Sequence, residues 1–135
     1  MNNSVWLVRI LSLGGVLEIV TGLGLLVTPS GVASLLLRSA LVGPGEVIAR
    51  VGGGALVALG IACWGARQTP SAPASVGVAW GFLAYNVIAC ATLASAGPAL
   101  ADGGLPAMGA SVLHGMLGVG LIGVLLSWGP PSAAS

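Results

Sequence analysis

Four long apolar runs, each bordered by proline or arginine, constrain what this chain can fold into more than any other feature. The first covers residues 5–27 and ends at Thr28-Pro29. The second, about 46–66, opens behind GPGE and closes at Arg67; the third, about 73–96, lies between TPSAP and Gly97-Pro98. The fourth, about 107–128, lies between Leu105-Pro106 and Gly129-Pro130-Pro131. Each run is as long as the ~20 residues that cross a ~30 Å hydrocarbon core at 1.5 Å per residue. Proline suits the borders, because it is tolerated in a first helical turn but breaks a helix interior. The pattern predicts an all-α membrane four-helix bundle, one domain over residues 1–135, with both termini on the same side.

Composition agrees. Of 135 residues, 56% are hydrophobic and 5% charged, whereas a soluble domain carries roughly 25% charged residues. The basic residues are Arg9, Arg38, Arg50 and Arg67, the acids Glu18, Glu46 and Asp102. A net charge of +1 without clustered basic side chains gives no case for nucleic acid as a partner. The 23 glycines follow no triplet period and suit helices that approach closely in lipid. The first run reads as a true span and not a signal peptide: its apolar part is longer than a normal h-region, it contains Glu18, and no convincing small-x-small cleavage site follows.

A fifth apolar patch, SGVASLLLRSALV over about 30–42, is too short to span. Ser30, Ser34 and Arg38 recur every four residues and share a helical face, which predicts a short amphipathic helix at the membrane surface. The alternative is an irregular apolar loop over the bundle. With the N-terminal side named side A, Arg9 and Arg67 fall on side A, and Arg38, Arg50, Glu46 and Asp102 on side B, so the basic residues count two against two. Side A is expected to be the cytoplasmic face of a bacterial inner membrane if Arg50 lies inside its span. Trp6, Trp64, Trp80 and Trp128 all fall in the side-A half, as in a one-sided aromatic belt at headgroup level. A tryptophan-lined ligand cage is the competing reading.

The polar residues inside the spans converge in depth. Counting from each span's midpoint, Glu18 lies ~3 Å and His114 ~5 Å toward side B, with Tyr85 and Asn86 within ~2 Å of the midplane and Arg50 ~9 Å toward side B. An ionised carboxylate near the bilayer centre costs at least ~2.5 kcal/mol, so Glu18 must be neutral, paired or facing water. Arg50 is the expected partner, through a guanidinium that forks onto a carboxylate. The competing expectation is that Arg50 bonds Glu46 one turn earlier. Gly14 and Gly22 flank Glu18, Gly118 and Ser111 flank His114, and Gly54 follows Arg50 by one turn, so neighbouring helices are expected on those faces. The candidate ligand-binding cluster is Glu18, Arg50, Tyr85, Asn86 and His114, with Ser111 and Cys90 at its edge. A purely structural network is the alternative.

The remaining residues carry less. Cys63 lies ~10 Å toward side A and Cys90 ~8 Å toward side B, too far apart for a disulfide. One histidine cannot build a bis-histidine haem or a multi-histidine zinc site; a His–Met or His–Cys axial pair is not forbidden, since Met108 and Met116 share the helix of His114, but nothing in the spacing demands it, and no metal or cofactor is assigned. No phosphate loop, dinucleotide fingerprint or nucleophile elbow occurs, and no catalytic constellation is evident. LGGVLEIVTGLG (13–24) and VGGGALVALGIA (51–62) echo one another in their glycines. That is the form of an inverted repeat, although so glycine-rich a chain produces such echoes by chance.

GGVLEIVTGLGLL around Glu18, IARVGGGALVALGIACW over 48–64, Tyr85-Asn86 and Leu113-His114 together resemble small bacterial four-span membrane proteins, DoxX-like in layout. The resemblance covers most of the chain. Some DoxX relatives are small subunits of quinone-linked oxidoreductases, which implies an accessory role in a membrane complex; no catalytic residue carries over. The absence of lysine and the abundance of Ala, Gly and Pro suit a high-GC bacterium.

The expected function is therefore binding of a small ligand, quinone included, or docking in a larger and possibly redox membrane complex, through the intramembrane cluster. The expected partners are the lipid bilayer and other membrane proteins or further copies of the chain. The alternative is an oligomeric permease or channel for a small solute or proton. An enzyme acting on a lipid or quinone is the third reading.

Overall fold

A computed structural model describes residues 3–100 and 104–127; Asp102 and Trp128, on which the loop assignment and the end of the belt rested, lie outside the described residues. The helices are α1 (Asn3–Val27), α2 (Pro29–Leu37), α3 (Pro44–Ala66), α4 (Pro73–Ala96) and α5 (Leu105–Leu126), with one 3-10 turn at Gly97–Ala99. No strand occurs among the described residues. Helices α1, α3, α4 and α5 are each long and apolar enough to cross a membrane. The protein is an all-α, multi-pass membrane four-helix bundle, with a short helix between its first two spans.

Proline starts α2, α3 and α4 and stands second in α5, where its missing N–H costs nothing and its fixed φ favours the first turn. The short helix ends sooner than the apolar patch predicts, at Leu37 instead of near residue 42. Arg38 turns left-handed there (φ 54°, ψ 24°), and the Leu41 N–H donates to the Ser30 hydroxyl at 3.2 Å, folding the chain back. Gly43, at φ 56° and ψ −125°, then makes a turn open to glycine and leads into Pro44. Helix α2 turns Pro29 and Ala33 inward and Leu35 outward, against α1, α3 and α5.

The four spans form a ring in chain order. Helix α1 packs most extensively on α3, and α4 on α5, while α3–α4 and α1–α5 contacts close the ring. Neighbours are antiparallel: Asn3 Nδ2 donates to the Ser127 carbonyl at 2.8 Å, joining the start of α1 to the end of α5. Gly15 lies against Gly60, and Gly22 against Gly53, in the α1–α3 seam. A Cβ on Gly22 would stand 2.5 Å from the Gly53 carbonyl oxygen, and one on Gly53 2.7 Å from that of Gly22. These are the glycines of the two echoing segments, so the echo has a structural counterpart in a reciprocal contact between antiparallel helices. In lipid such close backbone approach, and not a hydrophobic drive, joins helices.

The interior is divided by depth. Leu7, Leu11, Cys63, Ala79, Phe82 and Leu121 are fully buried in the side-A half; of the buried polar residues, Glu18, Asn86 and Ser111 lie toward side B, while Ser75 lies at the side-A end of α4. Large apolar side chains such as Leu13, Val20, Ile48 and Met116 cover the outside, as suits hydrocarbon. Trp6, Trp64 and Trp80 are exposed; the Arg9 guanidinium lies 5.3 Å from the Trp6 ring and that of Arg67 3.5 Å from Trp64. These are cation–π contacts on outward-facing rings, an arrangement that suits the expected interface belt.

The seam predicts a sharp positional contrast. Gly22→Leu or Gly53→Leu should lower unfolding free energy by more than the ~1–3 kcal/mol typical of overpacking, because the added atoms meet backbone. Gly52→Leu, which meets nothing within 4 Å, should be neutral or stabilising. Denaturant titration of the detergent-solubilised protein, followed by circular dichroism, checks both.

Candidate functional site

The buried face of α1 runs through Leu7, Leu11, Gly14, Glu18 and Gly22, with Gly15 beside it. Gly14 accommodates the ring of Phe82 from α4, and Gly22 the backbone of α3. The two close approaches turn Glu18 inward, where only 2% of its surface is exposed. Its partner is Tyr85 of α4, whose hydroxyl donates to Glu18 Oε2 at 3.0 Å. This bond crosses the ring diagonally and ties the α1–α3 pair to the α4–α5 pair.

Asn86 follows Tyr85 and is fully buried. Its Nδ2 donates to the Phe82 carbonyl one turn earlier at 2.8 Å, and its Oδ1 lies 3.0 Å from Nδ1 of His114 on α5. The His114 and Tyr85 rings meet edge to face with centroids 5.5 Å apart. One turn further toward side B, the Ser111 hydroxyl donates to the Cys90 carbonyl at 2.8 Å, with Cys90 Sγ at 3.5 Å. Both cysteines are free thiols. Gly118 lets α4 approach, with Leu83 and Asn86 in ordinary contact distance of its position.

The geometry thus brings Glu18, Tyr85, Asn86 and His114 together, with Ser111 and Cys90 adjoining them. It does not bring Arg50. That side chain is exposed, and its Nη1 donates to the Leu26 carbonyl in the last turn of α1. The expected Arg50–Glu18 pair is corrected by two physical facts. A helix C-terminus presents unpaired carbonyls and partial negative charge, a ready acceptor for a guanidinium. Gly54, one turn along the Arg50 face, has no neighbour within 4 Å, so no helix faces Arg50 from that direction. Depth arithmetic found the level of the partner of Glu18 but named the wrong residue: the phenol of Tyr85 takes the place assigned to the guanidinium. The Phe82 carbonyl was also missed; its only sequence signal is that it stands four residues before Asn86.

Two atoms of the cluster retain hydrogen-bonding capacity. Among the described residues nothing bonds Oε1 of Glu18 or Nε2 of His114. Every fully buried side-chain nitrogen or oxygen among the described residues has a partner, so these two atoms keep some accessible surface, that of Glu18 lying within the 2% of the residue that is exposed. Tyr85 stands between the residues that carry them.

Fold and site together define a class: a multi-pass membrane bundle with an intramembrane hydrogen-bonded cluster contributed by three of its four spans. Comparison with protein-family models, with curated proteins and with solved structures found no match.

The cluster makes its own stability prediction. Tyr85→Phe removes the one donor, among the described residues, to a buried carboxyl group and should cost about 1–3 kcal/mol, whereas Glu18→Gln, which still offers an oxygen to Tyr85, should cost less. In double-mutant cycles Glu18→Ala should couple to Tyr85→Phe and be additive with Arg50→Ala within about 0.5 kcal/mol. Coupling of Glu18 to Arg50 instead would restore the ion pair.

Proposed function

We propose that this chain is a small inner-membrane protein of a bacterium, DoxX-like in layout, that holds a small amphiphilic ligand at the Glu18–Tyr85–His114 cluster. The observation that carries the reading is the pair of unused, accessible polar atoms, Glu18 Oε1 and His114 Nε2, on an otherwise satisfied intramembrane network. A network that served only to join helices would gain by using both. Glu18 and His114 are the groups able to orient or exchange a proton with the ligand. Arg50, at the end of α1, takes no part. An accessory role in a larger redox complex fits the same site, with the ligand shared at the interface. Both termini lie on one side in this reading, the cytoplasm, with Arg9 and Arg67 stacked on tryptophans at that face.

Extraction and mass spectrometry of protein purified in nanodiscs from native membranes test the assignment. The wild type should retain a non-phospholipid amphiphile that Tyr85→Phe and His114→Leu lose by about tenfold or more, equivalent to about 1.4 kcal/mol, while Arg50→Ala retains it. Equal retention by all variants, or none by the wild type, would overturn the reading. Reporter fusions at the two ends should give the same cytoplasmic signal; opposite or periplasmic signals would reverse the orientation.

A further inference from the structure

The hydrogen bonds of Asn86 fix which proton His114 carries, and with it the chemistry that His114 can recognise. The Phe82 carbonyl only accepts, so the Asn86 atom 2.8 Å from it must be the amide nitrogen. The opposite assignment would set two acceptor oxygens against each other inside a fully buried site. The atom of Asn86 facing His114 is therefore Oδ1, also only an acceptor, and at 3.0 Å the ring must donate to it from Nδ1. In the neutral ring the lone pair is then left on Nε2. That nitrogen is accessible and has no partner among the described residues, at a depth where bulk water is absent.

We propose that Asn86 is a positioning residue that holds His114 as the Nδ1–H tautomer, and that His114 Nε2 accepts a hydrogen bond from a hydroxyl-bearing amphiphile reaching it from the membrane. The inference rests on the ligand-binding reading above and narrows it. A hydroxyl or phenol donates to Nε2; a ligand whose only polar group is a carbonyl or ether oxygen cannot. Arg50, the group that would have favoured a carbonyl or an anion, is held at the Leu26 carbonyl. Leu117, three residues on from His114 and half-buried, is the apolar side chain on the same helical face for the hydrocarbon part of such a molecule.

The chain has one histidine, so protein labelled with ¹⁵N-histidine, purified without a polyhistidine tag and placed in nanodiscs, reports one ring. The expected spectrum has a pyrrole-type Nδ1 and an imine-type Nε2. Titration with 4-nonylphenol should shift the imine-type resonance, and its methyl ether, equal in shape but without the donor, should bind at least about tenfold more weakly, or about 1.4 kcal/mol. In Asn86→Leu, if it folds, the tautomers should mix. If it does not fold, the wild-type spectrum still decides the tautomer and the phenol–ether pair the preference. An Nε2–H tautomer, an imidazolium spectrum, or equal binding of phenol and ether overturns the inference. The failures of the two readings are distinguishable. A native ligand retained at the cluster but lacking any O–H or N–H sinks this proposal and leaves ligand binding standing. The expected tautomer with no amphiphile bound sinks the binding readings and leaves Asn86 as the positioning group.

Discussion

The backbone contact between α1 and α3 is the constraint on which the rest of the structure depends. Lipid gives apolar helices no reason to leave it, so their association must come from close packing and internal hydrogen bonds. Gly15 against Gly60 and Gly22 against Gly53 bring two antiparallel backbones within van der Waals reach. The same contacts fix the rotation of α1 about its axis. Glu18 lies between Gly14 and Gly22 on the helical wheel, four residues from each, and is carried inward with them. Gly14, beside Gly15, gives the ring of Phe82 its place, and this sets α4 at the height where Tyr85 meets Glu18. One run of small residues thus positions the carboxyl group against two neighbours at once.

From that start the polar side chains on α4 follow from helical spacing. Phe82, Tyr85, Asn86 and Cys90 recur at steps of three and four and line the inner face. The Phe82 ring fills the apolar half of the interior and its carbonyl anchors the amide of Asn86. Tyr85 turns to α1 and Asn86 to α5, so two consecutive residues serve opposite sides of the bundle. Helix α5 answers with His114 and Ser111, one turn apart. Glu18, Asn86, His114 and Ser111 share the side-B half, which keeps their polar atoms within reach of one another or of α4.

How much of this was legible in the sequence follows from what a helix in lipid records. The spans were legible because length and proline borders are linear properties. The common level of Glu18, Tyr85, Asn86 and His114 was legible because rise per residue converts position to depth. Rotation about each axis was not, because a helix with lipid outside and apolar packing inside has little amphipathic contrast to show which face turns in. Glu18 escaped this ambiguity because glycines flank it at the right spacing. Arg50 did not: a long cation near the end of a span is free to move along the normal, and the carbonyls that hold it belong to another helix. The early end of α2 was hidden for a related reason, since the hydrogen bond from Leu41 to Ser30 joins residues that no periodicity links.

The magnitudes bear on the choice between glue and site. Interhelical polar contacts in a bilayer contribute ~0.6 kcal/mol on average, while an acidic side chain at mid-span costs ~2.5 kcal/mol or more to insert when charged. The seam that joins α1 to α3 is built from glycine, and the core toward side A is packed without a titratable carboxyl group, so the bundle is held together by cheaper means. A glutamine at position 18 would offer Tyr85 the same acceptor without the ionisable group, and a serine at 114 would offer Asn86 a donor without an imidazole. What the acid and the imidazole add beyond those substitutes is a proton that can be gained or lost, and that difference is the ground for the ligand site proposed above.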